Sequence, residues 1–105
     1  MDIRQIKTFV EVSKLRSFSK AAETLFLTQP TVSNHIQALE KELDTILINR
    51  LSKGLTLTAA GEIFYLTAVD ILNTYETAKF ELDNYKGKIE GHLEISASSV
   101  PRKHL

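Results

Sequence analysis

Side chains able to do chemistry are few in this sequence, and their spacing excludes most reaction types. There is no cysteine, so a thiol nucleophile, a disulfide and a thiolate zinc site are all excluded. The histidines His35, His92 and His104 are too scattered for a metal site. No serine–histidine–acid set stands at catalytic spacing. Glu40 and Glu42 are close in sequence but fall on different faces of a helix, so they read as surface or structural ion-pair residues. No glycine-rich phosphate loop is present. The sequence is therefore read as carrying no catalytic site, no metal and no cofactor.

What remains is hydrogen-bonding chemistry without reaction. Gln29, Pro30, Thr31, Ser33, Asn34 and Gln37 form a run of short polar side chains. On the outer face of a helix, such side chains let the backbone enter a major groove and reach base edges. The same run also fits the solvated face of a plain helical bundle, and periodicity alone does not separate the two. Further on, Arg50, Ser52 and Lys53 surround a turn. A guanidinium can hold phosphate bidentately, and a lysine at a turn tip can meet phosphate or a minor groove. For Arg50 the alternative is an internal ion pair with Glu40 or Glu42; for Lys53 it is an exposed lysine with no partner.

Those side chains need elements to hold them. Asp2 is an N-cap with Gln5 as its capping-box partner, and Ile3, Ile6, Phe9, Val10 and Ser13 follow at helical spacing, giving a helix over 3–15. Ser17 and Ser19 supply caps for a second helix to Leu25, with Ala21, Ala22 and Leu25 inward. Thr28 caps a third helix with Pro30 in its first turn, and Val32, Ile36, Leu39 and Leu43 make its apolar stripe. From Thr45 to Leu57 the chain reads as a hairpin turning at Ser52-Lys53-Gly54.

Thr58 caps a last helix expected to stop at Gly87. Within it Phe64, Ala68, Ile71, Tyr75, Ala78, Leu82 and Tyr85 alternate by four and three, a heptad seam suited to a partner helix. A second apolar set, Ile63, Leu66, Val69 and Leu72, occupies only the first half, which is expected to pack on the N-terminal domain as well. Gly91 to Ala97 alternates as a strand would, and a single strand is not stable alone. This divides the chain into 1–58, a winged helix-turn-helix; 59–88, a dimerisation helix; and 89–105, a hinge and the first strand of a domain that lies elsewhere.

Formal net charge is zero over 105 residues, which by itself argues against a nucleic-acid partner. The distribution is mildly uneven: up to Leu57 eight basic residues face six acidic ones, leaving +2 there and −2 beyond. The start of the chain lacks the apolar core of a signal peptide, and no apolar run could span a bilayer, so the expected location is the cytoplasm and no membrane partner is expected.

The run Ser17-Phe18-Ser19-Lys20-Ala21-Ala22-Glu23-Thr24-Leu25, then Thr28-Gln29-Pro30-Thr31-Val32-Ser33, Ile36-Gln37-Ala38-Leu39-Glu40, Arg50 and Leu57-Thr58-Ala59-Ala60-Gly61, resembles the signature of LysR-type transcriptional regulators. The resemblance implies that the first three helices and the wing bind double-stranded DNA. It implies that the last helix pairs antiparallel with a partner's, giving a homodimer on an inverted-repeat promoter site. It also implies a tetramer in the full-length form, and a small-molecule effector acting through a further domain of two α/β subdomains, whose first strand Gly91 to Ala97 resembles. Asn34 stands where the family often has arginine, Asp44 where it has glycine and Ile48 where it has phenylalanine.

The expected fold is thus mainly α, three helices and a β-hairpin wing followed by a long dimerisation helix. The expected function is sequence-specific DNA binding in transcription regulation. Gln29, Pro30, Thr31, Ser33, Asn34 and Gln37 face the groove, and Arg50, Ser52 and Lys53 face the backbone or minor groove. Two other readings are a winged helix serving only protein–protein assembly, which the near-neutral charge favours, and an enzyme fragment, which lacks a clustered site.

Overall fold

The structure, a computed structural model, describes residues 1–50 and 54–92, the last four as helical backbone only. Element order is α1 (Ile3–Leu15), α2 (Phe18–Leu25), α3 (Gln29–Leu43), β1 (Ile48–Asn49), β2 (Thr56–Leu57) and α4 (Ala59–His92). Residues Met1–Leu72 form one compact unit, and a second unit begins at Asn73.

Each start is set locally. The Asp2 carboxylate accepts from the backbone N–H of Arg4 and Gln5, while the Gln5 side chain accepts from the Asp2 N–H, a complete capping box. The Gln5 N–H chiefly, helped by Arg4, holds this carboxyl below its ordinary value. Its contribution to stability is therefore present above the usual carboxylate range and is lost as pH falls through the depressed value. Ser17 caps α2 through the Lys20 N–H at 3.0 Å, and Thr28 caps α3 through the Thr31 N–H at 3.3 Å. Thr58 caps α4 by accepting from the Gly61 N–H at 2.9 Å.

The ends are less usual. Arg16, Phe26 and Asp44, which close α1, α2 and α3, all take left-handed backbone angles without being glycine. After α2 the Leu27 N–H reaches back to the Ala22 carbonyl, and after α3 the Thr45 N–H reaches back to that of Glu40. Both turns satisfy helix carbonyls that would otherwise be orphaned.

The three short helices pack on one another around Ile6, Phe9, Val10, Val12, Ala21, Ala22, Val32, Ile36 and Leu39. Ala21 and Ala22 are buried, and their small size allows the close approach of α2 to its neighbours. Leu47 and Ile48 carry this core into the wing, whose strands pair antiparallel with Ile48 opposite Leu57 and Asn49 opposite Thr56. Ile48, where the resembled family has phenylalanine, is buried.

α4 adds Ala68 to the same core, and Phe64 lies against Phe9 with ring centroids 5.3 Å apart. Ile71, Leu72 and Val69 lie partly buried against it, whereas Ile63 and Leu66 stay exposed. The first half of α4 thus packs on the N-terminal domain, as expected, but partly through residues of the seam itself. Its first members, Phe64 and Ala68, are taken up by this chain's own core, and of the second set only Val69 and Leu72 pack inward. A heptad repeat identifies an apolar stripe but not which body covers it.

α4 also runs through Gly87 to His92 instead of stopping there, so Gly91 and His92 are helical rather than the start of a strand. One glycine among lysines and glutamates costs a helix only about 1 kcal/mol and does not end it. The expected strand beyond His92, like the turn residues Ser52 and Lys53, lies outside the described residues. Among the described residues no helix is long and apolar enough to cross a membrane.

Candidate nucleic-acid interface

α2, the turn at Phe26-Leu27-Thr28 and α3 form a helix-turn-helix, with α1 packed behind both helices. Val32, Ile36 and Leu39 turn α3's apolar stripe into the core. By the 3.6-residue period the opposite row is Pro30, Asn34, Gln37 and Lys41, and all four are exposed. Gln29 is exposed at the start of the helix, and Ser33 is partly covered along one edge of the row.

The side chains of Gln29, Ser33, Asn34 and Gln37 have no hydrogen-bond partner among the described residues. Thr31 differs: its hydroxyl accepts from the Thr28 hydroxyl at 2.9 Å, so it belongs to the cap that opens the helix. His35 is not a free surface group either. Its Nδ1 lies 2.8 Å from the Thr8 Oγ1, joining α3 to α1 across 27 positions of sequence. Thr8 is buried at the core and was not expected there; its hydroxyl is invisible to an apolar pattern.

The base of the wing is held by a buried carboxylate. Glu40, only 7% exposed, accepts through Oε2 from the backbone N–H of Leu47 at 2.9 Å and of Ile48 at 3.2 Å. Its Oε1 lies 3.7 Å from the Arg50 guanidinium, which stays 37% exposed. That guanidinium also lies 5.3 Å from the centre of the Phe18 ring at the start of α2. Of the two readings of Arg50, the ion pair with Glu40 is the one present in the unbound chain. Glu40 is thus structural, as one of its expected readings had it, but its backbone role was not legible in the sequence.

Thr58 fastens the wing to α4. Its N–H donates to the Leu47 carbonyl at 3.0 Å and its hydroxyl donates to the Ile46 carbonyl at 2.7 Å. Gly61 lies so close that an added Cβ would collide with the Leu47 carbonyl oxygen and sit 3.3 Å from the Leu57 Cβ. Gly54, with φ at 109°, adopts the left-handed side of conformational space that suits a tight turn.

In the second unit, Tyr75, Ala78, Leu82 and Tyr85 are exposed, as is Phe80. No group of acidic or histidine side chains among the described residues is placed to hold a metal ion.

The chain matches the family model of bacterial regulatory helix-turn-helix proteins, lysR family, over residues 3–62. It is 45% identical over 103 residues to an uncharacterized HTH-type transcriptional regulator of Methanocaldococcus jannaschii, covering 98% of this chain and 35% of that protein. It is 44% identical over 93 residues to the HTH-type transcriptional regulator CysL of Bacillus subtilis, covering 89% of this chain and 31% of CysL. The chain therefore spans about a third of the length of these relatives. Among solved structures, the BenM DNA-binding domain in complex with catB site 1 DNA superposes with a TM-score of 0.77 at 34% identity, covering 82% of this chain and 97% of that one. The DNA-binding domain of CbnR in its DNA complex gives 0.75 at 32% identity, covering 82% and 99%.

Proposed function

The chain belongs to the LysR family of bacterial regulatory helix-turn-helix proteins, and on that footing we propose that it is the DNA-reading and dimer-forming part of a transcription regulator. Its ligand is double-stranded DNA, bound as a homodimer at an inverted-repeat promoter site in the cytoplasm. The observation that carries this reading is the exposed row on α3. Asn34 and Gln37 are unpartnered amides flanked by Pro30 and Lys41, on a helix whose other face is locked in the core. A rigid helix with free donors and acceptors on one side suits major-groove readout. BenM and CbnR, similar in sequence and fold, were solved with DNA through their corresponding domains.

In this reading Gln29, Pro30, Ser33, Asn34 and Gln37 read or approach base edges. Thr31 sits at the helix mouth, and Arg50, Ser52 and Lys53 meet the backbone or minor groove. The dimer forms along α4 from Ile71 onward, through Ile71, Tyr75, Ala78, Leu82 and Tyr85. Tetramer assembly and a small-molecule effector belong to the additional length that the relatives carry. Selection of bound duplexes from a random pool, followed by fluorescence anisotropy on the enriched site, tests the function. The expected result is an enriched motif with two-fold symmetry, bound far more tightly than random duplex. Failure to enrich any motif, with no binding even at low salt, would remove DNA as the ligand.

A further inference from the structure

Arg50 lies between two competing surroundings, an internal carboxylate and open solvent. Its guanidinium has one edge toward the Glu40 Oε1 at 3.7 Å, lies over the Phe18 ring and remains partly exposed. Glu40 is divided in function: Oε2 is satisfied by two wing N–H groups, while among the described residues Oε1 has only Arg50. A separation of 3.7 Å is long for a charge-assisted hydrogen bond, so the pair is a loose one. Glu40 also belongs to α3, the helix with the exposed polar row, whereas Arg50 follows the first wing strand.

We propose that Glu40 and a DNA phosphate compete for Arg50: the guanidinium rests on Glu40 in the free protein and exchanges to phosphate on binding, pivoting on the Phe18 ring. This rests on the DNA-binding reading above. Glu40 then acts as a positioning residue that holds Arg50 at the wing base and sets a threshold against weak association. A duplex that brings no phosphate within reach leaves the ion pair intact and gains nothing from Arg50. One that does releases counterions as any phosphate neutralisation does, at the cost of uncovering the Glu40 Oε1.

The test is a double-mutant cycle on Glu40→Gln and Arg50→Ala, read as affinity and salt dependence for a random-sequence duplex of about 40 base pairs, long enough for two successive half-sites. Glutamine keeps an acceptor for the Leu47 and Ile48 N–H groups and removes the pull on the guanidinium. Glu40→Gln should tighten binding about two- to fivefold, the range a partly exposed ion pair is worth. That gain should vanish in the Arg50→Ala background. Arg50→Ala alone should shrink the slope of log K against log salt by about 0.9 for every phosphate that Arg50 neutralises in the wild type.

Equal tightening by Glu40→Gln with and without Arg50 would reduce the effect to removal of a negative charge and overturn the exchange. An unchanged slope in Arg50→Ala would overturn it independently, and that arm stands even if circular dichroism shows that Glu40→Gln does not fold. Wild-type protein that ignores the duplex at low salt would instead defeat the DNA reading itself, and the exchange with it.

Discussion

Asp44 closes α3 at φ 53°, where the resembled family has glycine, and its N–H and that of Thr45 return to the Lys41 and Glu40 carbonyls. An L-residue there carries a steric cost of about 1–2 kcal/mol, less for aspartate because its short side chain tolerates the left-handed region. Asp44→Gly should therefore stabilise the fold by about 0.5–1 kcal/mol, raising the melting temperature by roughly 4 °C. A calorimetric scan checks this, and a lower melting temperature would show that the carboxylate contributes more than the backbone loses. Asn34 is where the chain departs from its family in a way that concerns reading rather than folding. Its amide can pair with N6 and N7 of adenine, whereas arginine prefers O6 and N7 of guanine. Asn34→Arg should shift one position per half-site from adenine toward guanine by about 1–3 kcal/mol, and identical selected motifs for the two proteins would deny Asn34 that role. The exposed row was legible in the sequence because exposure follows from the apolar stripe opposite it. The Thr8–His35 bond and the Glu40 clasp were not. They join residues far apart in the chain through polar atoms, and no local period signals such a pairing.

Elements were legible where their signals are local. The Asp2–Gln5 capping box and the Thr28 cap with Pro30 behind it each act within a few residues, and α1 and α3 start where those signals put them, while both wing strands lie inside the span expected for the hairpin. Gly87 misleads about the end of α4 because it meets the usual stop pattern yet has open space around it and no tertiary reason to break the helix. Gly87→Ala should accordingly strengthen α4, by about 1 kcal/mol, seen as greater helicity by circular dichroism and a higher melting temperature. Gly61 is the opposite case. It sits in α4's first turn against the Leu47 carbonyl, and a backbone atom cannot rotate aside as a side chain would. Gly61→Ala must push α4 away from the wing, loosening the Thr58 bonds that tie Ile46 and Leu47 to the helix. The expected loss is about 3 kcal/mol, a fall in melting temperature large enough to read in any thermal scan. A variant as stable as the wild type would show that the close approach is not needed.

At the scale of the whole molecule, the second half of α4 poses the remaining question. From Asn73 to Gly87 every side chain is exposed, and Tyr75, Phe80, Leu82 and Tyr85 are among them. A lone helix of this length is marginal in water without a packing partner, and the exposed apolar groups are of the kind that another chain covers. They are not equivalent. Tyr75, Ala78, Leu82 and Tyr85 continue the stripe begun at Ile71, whereas Phe80 lies about 160° around the helix from Leu82. Ile71 is a poor place to probe the stripe because it also leans on this chain's own core, so a charge there would test folding instead. Leu82→Asp with Tyr85→Asp avoids that ambiguity. Two charges from each chain in an apolar seam should cost several kcal/mol and leave a monomer in sedimentation, with reduced helicity by circular dichroism and weaker binding to a two-half-site duplex. Phe80→Asp, on the far side, should remain dimeric. Dissociation by Phe80→Asp with the Leu82 and Tyr85 variant still paired would place the interface on the opposite face of α4 and reverse the assignment.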